Sequence, residues 1–188
     1  MSEGRALLFI LGTGLRVSEA CGLRWCDVSA EGIHVNQITY TLNKKRVYEA
    51  PKTRAGKRFI PPTDKLQAIL DTQRQAQRRE RVKAGAAWQG GEPGKKEQPV
   101  FATEVGTPAD RSNIGRKLRA CLDAAGLEHR GVHALRHTFA SIWAQSGVDV
   151  ETLSEVIGHT KVAFTMQTYV HSNTKTKRKA MEIMSEYL

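Results

Sequence analysis

Apolar residues recur at helical spacing over most of the chain and alternate only in its first third. Arg5 to Leu11 reads as a helix that stops at Gly12 or Gly14, since either glycine can take the left-handed conformation that closes a helix. A second helix begins near Arg16 to Ser18 and carries Ala20, Leu23 and Trp25 towards Asp27. Ile33, Val35 and Ile38 then alternate as in a strand. Val47, Tyr48, Phe59 and Ile60 flank Thr53-Arg54-Ala55-Gly56, a pattern that predicts two strands joined by a turn, and with the strand before them a small antiparallel three-stranded sheet. A long helix follows over Thr63 to Lys83, then a Gly- and Pro-rich loop over 84–98. Further helices are expected over Asp110 to Ala125, His133 to Ser146, Asp149 to Ile157, Val162 to Val170 and Thr174 to Tyr187. No internal repeat is visible, and the expectation is one α+β domain over residues 1–188, mostly helical, with the sheet embedded early.

Charge changes this picture more than composition does. The 188 residues hold 29 Lys and Arg against 19 Asp and Glu, a formal charge of +10, which points to a polyanion and first of all to nucleic acid. The excess is clustered: Lys44, Lys45, Arg46, Lys52, Arg54, Lys57 and Arg58 face only Glu49, a basic hairpin suited to a phosphate backbone. Arg74 to Lys83 forms a second run, and Lys175 to Lys179 a third. No run of about eighteen apolar residues suggests a membrane span, and the N-terminal residues lack the basic region and cleavage site of a secretory signal, so the expected compartment is the cytoplasm. Cys21, Cys26 and Cys121 form no CxxC pair and are expected to be small buried or half-buried residues, without disulfide or zinc. No acidic cluster of metal-binding type is seen, and no cofactor is expected.

Candidate chemistry lies near the two ends. On the helix from His133, Leu135, Phe139, Ile142 and Trp143 share an apolar arc with Arg136 at its edge and His133 beside it, so two cationic groups three residues apart offer an anion site. His137 points further away and is read as non-catalytic. His159 directly follows Gly158, where a capping histidine is the plainer reading. Tyr169 continues the spacing of Val162 and Met166, so periodicity alone leaves it a half-buried core tyrosine. Arg16 opens a helix, a position that suits a phosphate, and Glu19 three residues on can orient it; a surface salt bridge fits these residues equally well.

Taken in order, TGLRVSEACGLRW, PKTRAGKRFIP, HALRHTFAS, IGH and TMQTYVH resemble the motif series of tyrosine recombinases, the integrases of phages and conjugative transposons. The likeness runs from Thr13 to His171, and its one departure is Ile157 where many members have leucine. It implies that Arg16 and Arg136 are catalytic arginines, Glu19 a supporting acid, Lys52 the catalytic lysine, His133 and His159 the two histidines, and Tyr169 the nucleophile. It further implies double-stranded DNA as partner, strand cleavage through a 3′-phosphotyrosine link without metal or ATP, and a bacterial, nucleoid-associated setting. Accessory directionality factors and an N-terminal helical DNA-binding domain missing from this chain also follow from it. Ala180, Ile183, Met184, Tyr187 and Leu188 form an apolar stripe on the tail over 172–188; packing on its own domain is the plainer reading, and the resemblance implies that in the intact enzyme it docks on a neighbouring subunit on DNA. A type IB topoisomerase-like enzyme and a non-catalytic DNA-binding module are the rival readings.

Overall fold

The computed structural model describes residues 2–43, 45–92, 98–147, 149–160, 163 and 165. Helix α1 (Ser2–Thr13) is the hub: Ala6, Phe9 and Ile10 are fully buried, and the helix packs against α3 (Asp64–Ala84), α4 (Arg111–Ala124) and α5 (His133–Gln145). A ring contact between Phe9 and Phe101, 5.3 Å between centroids, ties α1 to the segment before α4. Two glutamines on α3 are also buried there. Gln73 accepts from Arg5 Nε (2.6 Å) and donates to Val100 O (2.9 Å), while Gln77 accepts from Trp25 Nε1 (2.6 Å) and donates to Pro99 O (2.8 Å). Their amides are satisfied on both sides, as burial requires. A smaller cluster of Ala140, Leu153 and Ile157, flanked by Phe139 and Trp143, joins α5 to α6 (Val150–Ile157).

Local chemistry sets the helix ends. Thr63, Asp110 and Asp149 each accept from a backbone N–H of the first turn, at 3.3, 2.8 and 2.7 Å, so α3, α4 and α6 begin where such caps stand. The expected second helix is split into α2 (Val17–Gly22) and a single 3₁₀ turn over Trp25–Asp27. Among the described residues no helix is long and apolar enough to cross a membrane.

The α+β class holds, but the strands are arranged differently from the expected three-stranded sheet. Described are two separate antiparallel pairs: β1 (Ile33–Val35) with β4 (Arg58–Ile60), and β2 (Ile38–Leu42) with β3 (Lys45–Glu49). The strands flanking Thr53–Gly56 therefore do not pair with each other. β3 folds back on β2 after Asn43, which takes a φ of 47°, with Leu42 opposite Lys45. β4 instead sets Ile60 opposite Ile33, both buried, so the apolar residues of β1 and β4 select each other over the polar β3. Two of the three cysteines also depart from expectation: Cys21 is buried, whereas Cys26 and Cys121 are exposed. The helices expected over 162–170 and 174–187 lie outside the described residues, apart from helical Ala163 and Thr165.

Candidate active site

The site forms where the end of α1, the start of β4, the face of α5 and the end of α6 meet. Helix α1 closes on Gly14, whose φ is 66° and whose N–H donates to Ile10 O at 2.9 Å. A Cβ at Gly14 would stand 2.5 Å from Phe139 Cδ1, so the chain needs glycine here for both conformation and space. This turn presents Arg16. Its N–H donates to Glu19 Oε2 (2.8 Å) and its Nη1 to Glu19 Oε1 (2.9 Å), so Glu19 holds the arginine by backbone and side chain together.

Glu19 is 2% exposed and serves a second arginine as well. Arg58 donates from Nη1 to Oε1 (3.0 Å) and from Nη2 to Oε2 (2.9 Å), a bidentate pair. Burial acts to raise the Glu19 pKa, but hydrogen bonds and charge from Arg58 and Arg16 outweigh it and hold the carboxyl below its ordinary 4.5. It is a carboxylate at neutral pH.

Helix α6 organises the other side. Gly158 takes the left-handed conformation (φ 67°), with its N–H on Glu155 O and the His159 N–H on Ser154 O, both at 3.0 Å, the Schellman closure. The last carbonyls of a helix have no partner within it and carry its negative end. Here three in succession each accept from a different arginine: Val156 O from Arg58 Nε (2.6 Å), Ile157 O from Arg136 Nη2, and Gly158 O from Arg16 Nη2 (3.2 Å). Arg136 also donates from Nη1 to Gly14 O at 2.7 Å. Neutral carbonyls aim these guanidiniums and leave their charge in place.

Arg136 is 1% exposed and sits at the centre of the buried face of α5, whereas Ile142 is 61% exposed. The buried arc is thus rotated from the one expected, and Ala140 completes it with Arg136. His133 lies one turn before Arg136, and the ring of His137 meets it edge-on, 4.6 Å between centroids. Burial first, then the charges of His137, Arg136, Arg16 and Arg111, lower the His133 pKa. His159 shares a 2.8 Å hydrogen bond between Nδ1 and Thr165 Oγ1. Burial, then Arg136, Arg16, His133 and Arg58, push its pKa down to about 4. Both histidines therefore face neutral pH uncharged, amid arginines.

The structure thus brings together Arg16, Glu19, His133, Arg136 and His159. Lys52 is exposed on the loop between β3 and β4. That loop packs against the end of α6, since a Cβ on Gly158 would meet Ala55 O at 2.8 Å. Of the basic residues expected to face a phosphate backbone, Lys45, Arg54 and Lys57 are exposed. Arg46 instead donates to Pro108 O (3.0 Å) and pairs with Asp110 (3.3 Å). Arg58 departs most: its side chain is 6% exposed and committed to Glu19 and Val156, so it braces the site from within. Alternation carries the signal for this, because Arg58 shares a face of β4 with buried Ile60. Lys44 and Tyr169 lie outside the described residues. Thr165, fully buried beside His159, carries no signal in the sequence that singles it out.

Comparison with known proteins converges on one family. Residues 1–176 match the model of the phage integrase family. The chain is 34% identical over 192 residues to a protein named tyrosine recombinase XerC-like of Caldanaerobacter subterraneus subsp. tengcongensis, covering 95% of this chain and 48% of that one. It is 33% identical over 176 residues to tyrosine recombinase XerD of Corynebacterium glutamicum, covering 93% and 50%. The chain therefore spans about half the length of the curated relatives it matches. In fold it is similar to the Tn1549 transposon integrase, solved with circular intermediate DNA, with a TM-score of 0.77, 23% identity and 96% of this chain and 59% of that one covered. It also resembles the XerA recombinase, with a TM-score of 0.64, 22% identity and coverage of 97% and 57%. With Arg16 and Arg136 gathered on the carbonyls at the end of α6 and the family model matched over residues 1–176, this chain belongs to the phage integrase family.

Proposed function

We propose that this chain is the catalytic domain of a site-specific DNA recombinase that cleaves and rejoins strands through a 3′-phosphotyrosine intermediate. The observation that carries the reading is the anchoring of Arg16 and Arg136 on the carbonyls of Gly14, Ile157 and Gly158, which holds two permanently charged guanidiniums side by side beside two neutral histidines. Two such groups clamp the non-bridging oxygens of a phosphodiester and gain strength as charge builds in the bipyramidal transition state. By analogy with other phosphoryl transfers, loss of one costs on the order of 10³-fold in rate.

Tyrosine has a pKa of about 10, so Tyr169 needs a base, and a neutral His133 can take its proton as the phenolic oxygen bonds to phosphorus. His159 donates a hydrogen bond to the phosphoryl oxygens. As the bond to the 5′ oxygen breaks, Lys52 on its exposed loop supplies the proton that makes a 5′ hydroxyl. A 5′ hydroxyl from the partner duplex then attacks phosphorus, releases Tyr169 and restores a phosphodiester. The bond count is conserved, so the exchange needs no nucleotide. The relatives are named recombinases, which favours exchange between duplexes over simple nicking and rejoining. The same reading includes double-stranded DNA as substrate, self-association through the tail over 172–188, accessory directionality factors, and action in the bacterial cytoplasm at the nucleoid.

A denaturing gel with a labelled suicide substrate tests it. Tyr169→Phe should bind DNA as the parent does and form no covalent adduct. An undiminished adduct identifies another nucleophile and overturns the assignment.

A further inference from the structure

The basic run on the second half of α3 takes no part in the site just described, and it lies at the other end of the molecule. Leu66, near the start of α3, packs beside Gly12 at the end of α1, whereas Gln73 bonds Ser2 and Arg5 at the beginning of α1. At 1.5 Å per residue, Arg81 stands roughly 20 Å along α3 from Leu66. Here a cavity of about 250 Å³ opens between the Trp25–Asp27 turn and α3, lined by Trp25, Arg74, Gln77, Arg78, Arg81 and Gln98.

Among the described residues its walls carry three arginines and no carboxylate. Arg74 lies 4.3 Å over the Trp25 ring, which fixes its guanidinium plane. Arg78 and Arg81 follow at i+4 and i+7 on the same helix face. The Arg81 Nη1 is buried with no hydrogen-bond partner among the described residues, a donor that ordinarily costs free energy to leave unmatched. The floor is firm: Gln77 Oε1 accepts from both Trp25 Nε1 (2.6 Å) and Gln98 Nε2 (3.2 Å). Asp27, the acid of the adjoining turn, is already held by Arg24 (2.7 Å) and Asn36 (3.1 Å).

From this the geometry points to a second anion site, distinct from the catalytic clamp, that takes the phosphate groups of a small ligand of pyrophosphate size. Three forked cations around a concave floor match clustered phosphate oxygens, and a cavity this small and inward-curving suits a compact anion better than the convex backbone of a duplex. The proposal stands independently of the recombinase reading.

The test is calorimetric titration of the 188-residue chain with pyrophosphate at fixed ionic strength, alongside Arg78→Gln/Arg81→Gln and Arg16→Ala. The parent and Arg16→Ala should bind, and the double variant should lose at least tenfold in affinity while keeping the parent's circular dichroism. At a hundredfold excess over Kd, the parent's melting midpoint should rise by roughly 5 °C or more, and that of the double variant should not. Arg78→Glu alone, at an exposed position, should weaken binding in the same sense if the double variant folds poorly. Undiminished affinity in the folded Arg78 and Arg81 variants overturns the site, as does loss of binding through Arg16→Ala alone. If duplex DNA displaces pyrophosphate and itself loses affinity through the same variants, the phosphates belong to DNA and the small-ligand assignment fails.

Discussion

Glu19 binds two guanidiniums with two oxygens, so its charge does more than support Arg16. Replacing it by glutamine keeps the shape and removes the only acid bonded to Arg16 and Arg58 among the described contacts. Breaking a buried pair from one side is costly because the other charge stays behind; Glu19→Gln should therefore lower stability by about 3 kcal/mol in urea unfolding. His159 makes a prediction of opposite chemistry. Its folded pKa of about 4 lies below the ordinary 6.5, so the unfolded chain binds the proton more readily. The resulting stability is fully present above pH 6.5 and drains away as pH falls towards about 4, with His133 adding in the same direction. Unfolding free energies measured from pH 8 to pH 4 should show this decline, and His159→Asn should flatten it. An equal slope in the variant would assign the proton uptake elsewhere. Motif residues such as Arg16 and Arg136 were legible in the sequence because their types and spacing are distinctive. The bracing role of Arg58 was not, because a basic run reads as surface until its register against β1 is known.

At the scale of elements, the end of α6 decides how the arginines are aimed. Gly158→Ala would place a side chain at φ 67° and set its Cβ 2.8 Å from Ala55 O. The left-handed conformation alone costs about 1–2 kcal/mol, and relief of the clash has to shift either the loop bearing Lys52 or the carbonyls that hold Arg16 and Arg136. Thermal melts should report a destabilised fold, and cleavage should fall more than DNA affinity does. Parallel losses in the two would make Gly158 a folding residue alone. Helix ends such as Thr63, Asp110, Asp149 and Gly158 were readable from the sequence since capping is settled within a few neighbouring residues. Strand pairing is not legible in this way, for the converse reason. Whether β4 joins β3 or β1 depends on which partner buries Ile60, and Ile33 lies 27 residues away.

For the whole molecule, the formal charge of +10 divides into residues that face solvent and residues that hold the fold. Lys45, Lys52, Arg54 and Lys57 belong to the first group, and Arg58 to the second. Removing Arg54 or Lys57 should reduce the slope of log K against log salt for DNA binding by about 1 each and leave unfolding unchanged. Arg58→Ala should do the reverse, lowering the melting temperature with little change in slope at permissive temperature. Fluorescence anisotropy over a salt series separates the two groups. The anchoring of Arg16 on the carbonyl of Gly158, 142 residues away, also has a bearing on synthesis. While the chain is being made, Arg16, Arg58 and Arg136 emerge before the end of α6, and until that helix forms they have Glu19 and the Gly14 carbonyl but not the three α6 carbonyls that complete their anchoring. A half-translated polypeptide then carries most of the basic residues before α6 has set the three arginines in their final geometry.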